Sequence, residues 1–450
     1  MAREGVEDSG SPAKGQIART SLGGIATHAA IQVLWFLAGI PVTRALGPEA
    51  RGIFVLIITF VSVVVTVGTL GLPNANTVFV AQRRHTLGTL HANSMGAALG
   101  LGGLVLLLYA ILRPALSASI LLGVPVAYVV WGISQTPLLF YENFWSGLAI
   151  GAGSVGRYNV LLLGKTAAAT LLVMGLFALD ALDVASMLAV WTATNVAGVV
   201  WMVWILRGLA DDPLRPSWAA FRDALQFGLR VHLGGIATIT WQRFDSFLLN
   251  ATHGPAAVGQ YSLAVALTEG LWRVVGPVVN AIQQPVASAG REDACALTQR
   301  VLRHVVSVLL VLGGGLGLCA PWLIPMLYGP AFAPAVPAVQ ILLIGTIGVG
   351  LAMVTSVFFV GVLDRGGLLS ILAWLNAAVN IGLCVVLIPK HGILGAAWAS
   401  GITYVFGVAI VLILFHRLTA SRWADMLILR RRDLADYAVL LSDLRARWRG

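Results

Sequence analysis

Twelve long apolar runs, nearly free of charge, leave this chain little choice of fold. They lie near 21–43, 53–79, 94–112, 118–145, 158–179, 185–206, 228–250, 257–285, 302–327, 336–363, 367–389 and 394–416. A helix needs about 20 apolar residues to cross the hydrocarbon of a bilayer. Lipid offers no partner to an unpaired peptide group, so such runs span as α-helices. Only 11% of the 450 residues are charged and 58% are hydrophobic, far from the balance of a water-soluble domain. The sequence therefore predicts an all-α membrane protein of twelve transmembrane helices.

Positive charge orients the spans. With the amino terminus in the cytoplasm, twenty-two Lys and Arg residues fall on the inner side, and only Arg44, Arg51, Arg113 and Lys390 on the outer. That bias predicts that both termini are cytoplasmic. It also accounts for the basic composition without nucleic acid as a partner. Residues 1–20 read as a loose cytoplasmic tail and 417–450 as a basic amphipathic one. In the latter, Trp423, Leu427, Leu434, Leu441, Leu444 and Trp448 recur at helical spacing beside Arg430, Arg431 and Arg432, suiting an anionic leaflet. Cys295, Cys319 and Cys384 stand singly and build neither a disulfide framework nor a zinc site. No metal or cofactor is expected.

The chain repeats itself. "GPEARGIF" at 47–54 returns as "GPAAVGQY" at 254–261, and "LGGIAT" at 22–27 returns at 233–238. Trp191 and Trp398 keep the same 207-residue offset as the octet. Two six-helix lobes follow, 21–206 and 231–416, in pseudo-symmetric bundles that enter the bilayer the same way. The Gly-Pro octet reads as an outer turn, because Pro cannot continue a helix and Gly tolerates the bend. Between the lobes, 207–230 carries Pro213 and Pro216, then Trp218, Phe221 and Leu225 at helical spacing. It is expected to lie as an amphipathic linker on the inner face.

Two motifs invite an enzymatic reading and fail it. "GAGSVG" at 151–156 satisfies G-x-G-x-x-G but joins two membrane helices, whereas a dinucleotide site follows a strand. "GKT" at 164–166 lacks the earlier glycine of a phosphate loop, Asn159 standing in its place. No catalytic residues are expected. The informative groups are charges inside spans, each costly unless it meets a partner or water. Span seven holds Arg243 and Asp245; span eight holds Glu269 and Arg273 at i, i+4. By the repeat, Arg243 corresponds to Gln32, and Glu269 and Arg273 to Ser62 and Thr66. In one reading, Arg243–Asp245 and Glu269–Arg273 are internal ion pairs that hold helices in register. In the other they line a hydrated seam between the lobes. Glu142 and Lys165 snorkel or pair near the inner interface. Gln242, Asn280, Asn376 and Asn380 suit either a polar lining or helix–helix hydrogen bonds.

The chain resembles the oligosaccharide flippases, the O-antigen and polysaccharide translocases of the multidrug/oligosaccharidyl-lipid/polysaccharide (MOP) exporter superfamily. The resemblance rests on the Gly-Pro turn with Gly52 and Phe54, on Arg243-x-Asp245 followed by Gly259-x-Tyr261, on "LYGPAF" at 327–332 and on "IPKHGILGAAWAS" at 388–400. It implies a MATE-like, two-lobed carrier in a bacterial cytoplasmic membrane. The expected activity is moving a polyprenyl-pyrophosphate-linked oligosaccharide outward by alternating access, for cell-surface polysaccharide or lipopolysaccharide synthesis. The implied partners are an anionic lipid-linked glycan, membrane lipids, H+ or Na+, and polysaccharide polymerase machinery. It makes Arg243 and Arg273 headgroup contacts in a central cavity also lined by Gln32, Gln242, Asn280, Asn376 and Asn380. Asp245 and Glu269 become orienting or ion-responsive groups. Span one carries no acidic residue, which departs from the multidrug branch. A cation-coupled drug antiporter and a non-transporting scaffold of a polysaccharide-assembly complex are the alternatives.

Overall fold

The computed structural model describes residues 14–207, 213–430 and 433, and among them every regular element is helical. In chain order these are α1 (Lys14–Gly68), α2 (Leu72–Ala81), α3 (Leu87–Ser117), α4 (Val126–Ser134), α5 (Thr136–Gly151), α6 (Val155–Ala178), α7 (Val184–Arg207), α8 (Trp218–Arg273), α9 (Val275–Ser288), α10 (Arg291–Tyr328), α11 (Ala335–Gly361), α12 (Gly366–Thr419) and the short α13 (Trp423–Leu427). Three of them, α1, α8 and α12, are hairpins of two spans. Each turns at a glycine with positive φ: Gly47, Gly254 and Gly392.

The reversals follow from side-chain reach. Arg51 donates to Thr43, the residue the same distance on the other side of Gly47. Tyr261 bonds Asp245, and Arg243 bonds Glu269 across Gly254. At a rise of about 1.5 Å per residue, no straight helix could close these pairs. Counting each hairpin as two legs, α4–α5 as one broken span, and α2 and α9 as the continuations of spans two and eight beyond a break gives twelve spans, as the sequence predicts. Gly47 (φ 66°, ψ 179°) and Gly254 (φ 78°, ψ 177°) share one backbone conformation, so the repeat in sequence is a repeat in structure.

Prolines place the breaks inside spans. Span four divides at Gln135, with Pro137 just beyond, and Thr136 Oγ1 donates to the Ile133 carbonyl left without a helical partner. Span eight divides at Val274, because Pro277 cannot accommodate the carbonyl of Arg273. Span two breaks at Gly71 (φ 73°), ahead of Pro73.

The lobes meet at both ends of the molecule, by different means. At the Gly-Pro end the two turns clasp each other. A Cβ at Gly52 would stand 1.8 Å from the Pro255 carbonyl oxygen, and one at Gly259 would stand 1.8 Å from that of Pro48. Arg51 Nε donates to the Gly259 carbonyl at 3.3 Å. Buried Asn250 donates to the Ile120 and Leu122 carbonyls at 3.0 and 2.9 Å. At the other end span two packs on span seven, with Gly71 against Gly228 and His232 bonded to the Val67 carbonyl at 2.9 Å. On span eight beyond its break at Val274, Asn280, Gln283 and Gln284 are exposed. The hydrophobic core divides unevenly. One cluster fills most of the first lobe and joins the second at both ends, through Val258 and Tyr261 at the Gly-Pro end and Ala224 at the other, and a second fills the rest of the second lobe.

One expectation changes. Residues from Trp218 onward form no separate surface helix; they run straight into span seven, capped by Ser217. In the tail after α12, Trp423–Leu427 forms a short helix with Met426 fully buried; residues 431, 432 and 434–450, where most of the expected amphipathic tail falls, lie outside the described residues, as do 1–13 and 208–212.

Buried Asp433 receives Arg303 through two hydrogen bonds of 2.7 and 2.8 Å, while the same guanidinium reaches the Asp425 carbonyl at 2.6 Å. A bidentate ion pair therefore ties the tail to α10. The Arg303 guanidinium holds the Asp433 carboxyl well below the usual carboxylate range. A depressed pKa contributes docking stability that is complete above the free carboxyl's value, about 4, and is lost only as pH falls further. Hydrogen exchange of residues 420–430, corrected for intrinsic rate, should therefore stay flat from about pH 8 to 5. Asp433→Asn should raise it at least roughly tenfold throughout, since it leaves a buried guanidinium short of its partner. Unchanged exchange in that variant would refute the latch.

Candidate functional site

The hairpin at Gly254 brings the charges of spans seven and eight together. Arg243 lies eleven residues before the turn, about 16 Å along the helix and thus near the middle of a bilayer some 30 Å thick. Glu269, on the returning leg, accepts from both arginines. Arg243 Nη1 reaches Oε1 at 3.1 Å, and Arg273 Nη2 reaches Oε2 at 2.6 Å. The carboxylate is 8% exposed, Arg243 26% and Arg273 42%, so two cations flank one buried anion and Arg273 is the most exposed of the three. The Arg273 guanidinium also lies 5.9 Å from the centre of the Trp272 ring, within range of a cation–π contact. Gly270 and Gly276, on the same stretch, have nothing within 4 Å of a built Cβ.

The expected Arg243–Asp245 pair is not formed. Residues two apart on a helix do not face each other. Asp245 points the other way, into the second lobe, where it is 2% exposed. Its Oδ2 accepts from Tyr261 at 2.5 Å and from Ser400 at 3.0 Å, and its Oδ1 accepts from the Ser246 amide at 2.6 Å. Spans seven, eight and twelve thus converge on one carboxylate. Asp245 and Glu269, one class in the sequence, occupy separate environments.

The amides disperse. Gln32 and Gln242 are half-buried and Asn280 is exposed. Asn376 packs against Gly407, whose built Cβ would stand 2.4 Å from its amide nitrogen. Asn380 is fully buried and donates to Thr403 at 3.4 Å in the contact of the two α12 legs. Glu142 and Lys165 pair inside the first lobe at 2.6 Å, Lys165 also donating to Asn195 at 3.1 Å.

Sequence reasoning missed the partners of Asp245. Tyr261, which the sequence offers only in the repeated octet and the Gly259-x-Tyr261 motif, closes the carboxylate network. Ser400 ends the "IPKHGILGAAWAS" stretch, a signal noted without a role. Tyr404, packed edge-on against Trp241 at 5.4 Å, had no sequence signal at all.

Two six-helix lobes, the second carrying this charge cluster on one hairpin, can be set beside known proteins. The chain superposes on an inward-facing multidrug resistance MATE family transporter of the MOP superfamily (TM-score 0.71, 15% identity, 89% of this chain and 98% of that one). It also superposes on an outward-facing one (TM-score 0.64, 16% identity, 90% and 95%). A MOP superfamily transporter from Pyrococcus furiosus, whose description reports a reversed polarity of the binding pocket, gives TM-score 0.65 at 16% identity over 90% and 95%. Residues 156–337, which include Arg243, Asp245, Glu269 and Arg273, match the family described as polysaccharide biosynthesis protein. A curated relative, the amylovoran biosynthesis protein AmsL of Erwinia amylovora, is 27% identical over 139 residues, 29% of this chain. The match spans about a third, 34%, of that relative's length. The chain is a multi-pass membrane protein by its helices and has the fold of the MATE transporters, and residues 156–337 match a polysaccharide-biosynthesis family, which bears out the resemblance read from the sequence.

Proposed function

We propose that this protein flips a polyprenyl-pyrophosphate-linked oligosaccharide from the inner to the outer leaflet of a bacterial cytoplasmic membrane by alternating access, supplying cell-surface polysaccharide synthesis. The observation that carries the reading is the Arg243–Glu269–Arg273 cluster, a net-cationic group near the bilayer middle with Arg273 substantially exposed. A pyrophosphate offers oxygens in the geometry that guanidinium groups bind best. A sugar chain cannot cross hydrocarbon unaided, whereas its isoprenoid tail is soluble there. The family match adds support, since it names polysaccharide biosynthesis and covers the cluster.

Glu269 then holds both arginines in register until an anion competes for them. Arg243, Arg273, Gln32, Gln242 and Asn280 remain candidate contacts; Asn380 is left to a structural role by its burial. Asp245, held by Tyr261 and Ser400, is the candidate for an H+- or Na+-responsive group. The cationic cluster disfavours a drug antiporter that takes cations, and no observation favours a scaffold.

The test is export. Arg243→Ala and Arg273→Ala together should lower surface glycan at least roughly tenfold, the loss expected when two charge-assisted contacts of 1.5–3 kcal/mol disappear. Lipid-linked precursor should accumulate on the inner leaflet, with export taken per unit of protein in the membrane because the double variant leaves Glu269 buried without its counter-ions. Normal export in the double variant would end this reading.

A further inference from the structure

A second feature lies outside the central cluster. Along the outer face of α3, Ala92, Gly96, Gly100 and Leu104 form the floor of a groove of about 590 Å³ whose opposite wall is Trp218 and Phe221 at the start of α8. The wall and floor belong to different lobes. They are fixed together by Asn93, which donates to the Ser217 carbonyl at 2.9 Å and accepts from the Ser217 amide at 3.0 Å. Trp218 and Phe221 lie against each other with ring centroids 5.5 Å apart.

The groove's dimensions and chemistry point to one occupant. From Ala92 to Leu104 the floor runs about 18 Å, close to the depth of one leaflet of a bilayer about 30 Å across. Its lining is almost wholly apolar, and it is open along its length. Gly96 and Gly100 leave empty space where side chains would stand, with nothing within 4 Å of a built Cβ. Those open positions give room for the methyl branches of an isoprenoid chain. The rim is cationic: exposed Arg215 precedes Pro216 of the wall, and exposed Arg222 stands one turn beyond Trp218. An anionic head beside a branched hydrocarbon tail matches both parts.

We propose that this groove holds the isoprenoid tail of a polyprenyl phosphate lipid, with its phosphate against Arg215 and Arg222, while the lipid lies in the leaflet at that end. The proposal rests on the flippase reading and adds a tail site to it, at a junction where both lobes touch the lipid. Occupancy is thereby linked to the relative position of the lobes.

The test uses the full chain in proteoliposomes of phosphatidylethanolamine and phosphatidylglycerol containing a few mole per cent of a C55 polyprenyl phosphate. A photoreactive benzoylphenylalanine replaces Leu101 on the groove lining, and in a control replaces Leu172, exposed on α6. Adducts identified by mass spectrometry should be enriched in polyprenyl phosphate roughly tenfold over its mole fraction at position 101 and should follow bulk lipid at position 172. Gly100→Phe, which fills open space and so leaves the fold intact, should return position 101 to the bulk ratio. Bulk-like adducts at position 101 in the parent chain, or enrichment that survives Gly100→Phe, would overturn the proposal. Because the probe lipid carries no sugar, this readout is independent of export. Enrichment together with normal export in the Arg243/Arg273 variant would keep the groove and refute flipping. Bulk-like adducts with export lost in that variant would do the reverse.

Discussion

Gly259→Val is expected to unlock the Gly-Pro end of the molecule. The valine Cβ would be built 1.8 Å from the Pro48 carbonyl oxygen and 3.0 Å from the Gly52 amide nitrogen, a distance no real packing tolerates. Both obstacles are backbone, so no rotamer change relieves the clash and the turns must part. The same clasp is closed by Arg51 on the Gly259 carbonyl and by Asn250 on the Ile120 and Leu122 carbonyls, and separation strains those bonds as well. Overpacking of this kind costs about 1–3 kcal/mol or more, a shift of roughly five- to a hundredfold in the balance between a state closed at that end and one open there. A cysteine at Thr43, fully buried in the closed form, should gain reactivity toward a membrane-impermeant maleimide by about that factor. Gly52→Val should do the same through Pro255, since the two contacts are related by the pseudo-symmetry of the lobes. An unreactive Thr43→Cys in either background would show that the turns do not gate access. Export should fall in both, because a carrier that cannot close one end cannot alternate.

The turns show how far sequence carries the fold. Gly47 and Gly254 were legible as hairpins because Gly-Pro between apolar runs has a local physical meaning, and their equal spacing announced two lobes. That Gly52 and Gly259 then press against the opposite turn's backbone was not legible. It depends on where the pseudo-symmetry axis passes, which no local pattern encodes. The charges divide in the same way. The i, i+4 spacing of Glu269 and Arg273 foretold their pair, and the i, i+2 spacing of Arg243 and Asp245 should have argued against theirs. Arg243 instead finds Glu269 because the Gly254 turn folds one leg on the other. The pairing of Arg303 with Asp433 joins segments 130 residues apart. Nothing in the tail's amphipathic spacing distinguishes a helix resting on lipid from a strap fastened to α10.

Glu269→Gln should separate an anion-receptive cluster from a purely structural one. In the parent chain one buried carboxylate satisfies both guanidinium groups. Removing its charge leaves two cations close together in a low-dielectric region with no counter-ion, and breaking a buried pair this way costs about 3–5 kcal/mol. The cluster is partly open at Arg273, so the lower end applies, about 3 kcal/mol, with a clear fall in melting temperature in detergent. A ligand that binds only the folded state restores stability as its concentration exceeds its dissociation constant. If the arginines are built to accept a pyrophosphate, inorganic pyrophosphate should take the place of the missing carboxylate. It should then raise the melting temperature of Glu269→Gln by more than it raises that of the parent, where Glu269 competes for the same groups. Adding Arg243→Ala and Arg273→Ala to Glu269→Gln removes both the repulsion and the binding site. That triple variant should recover much of the lost stability and lose its response to pyrophosphate. A uniform response across all three proteins would mean that the anion acts elsewhere, and the cluster would then stand as an ion-pair brace between the legs of one hairpin.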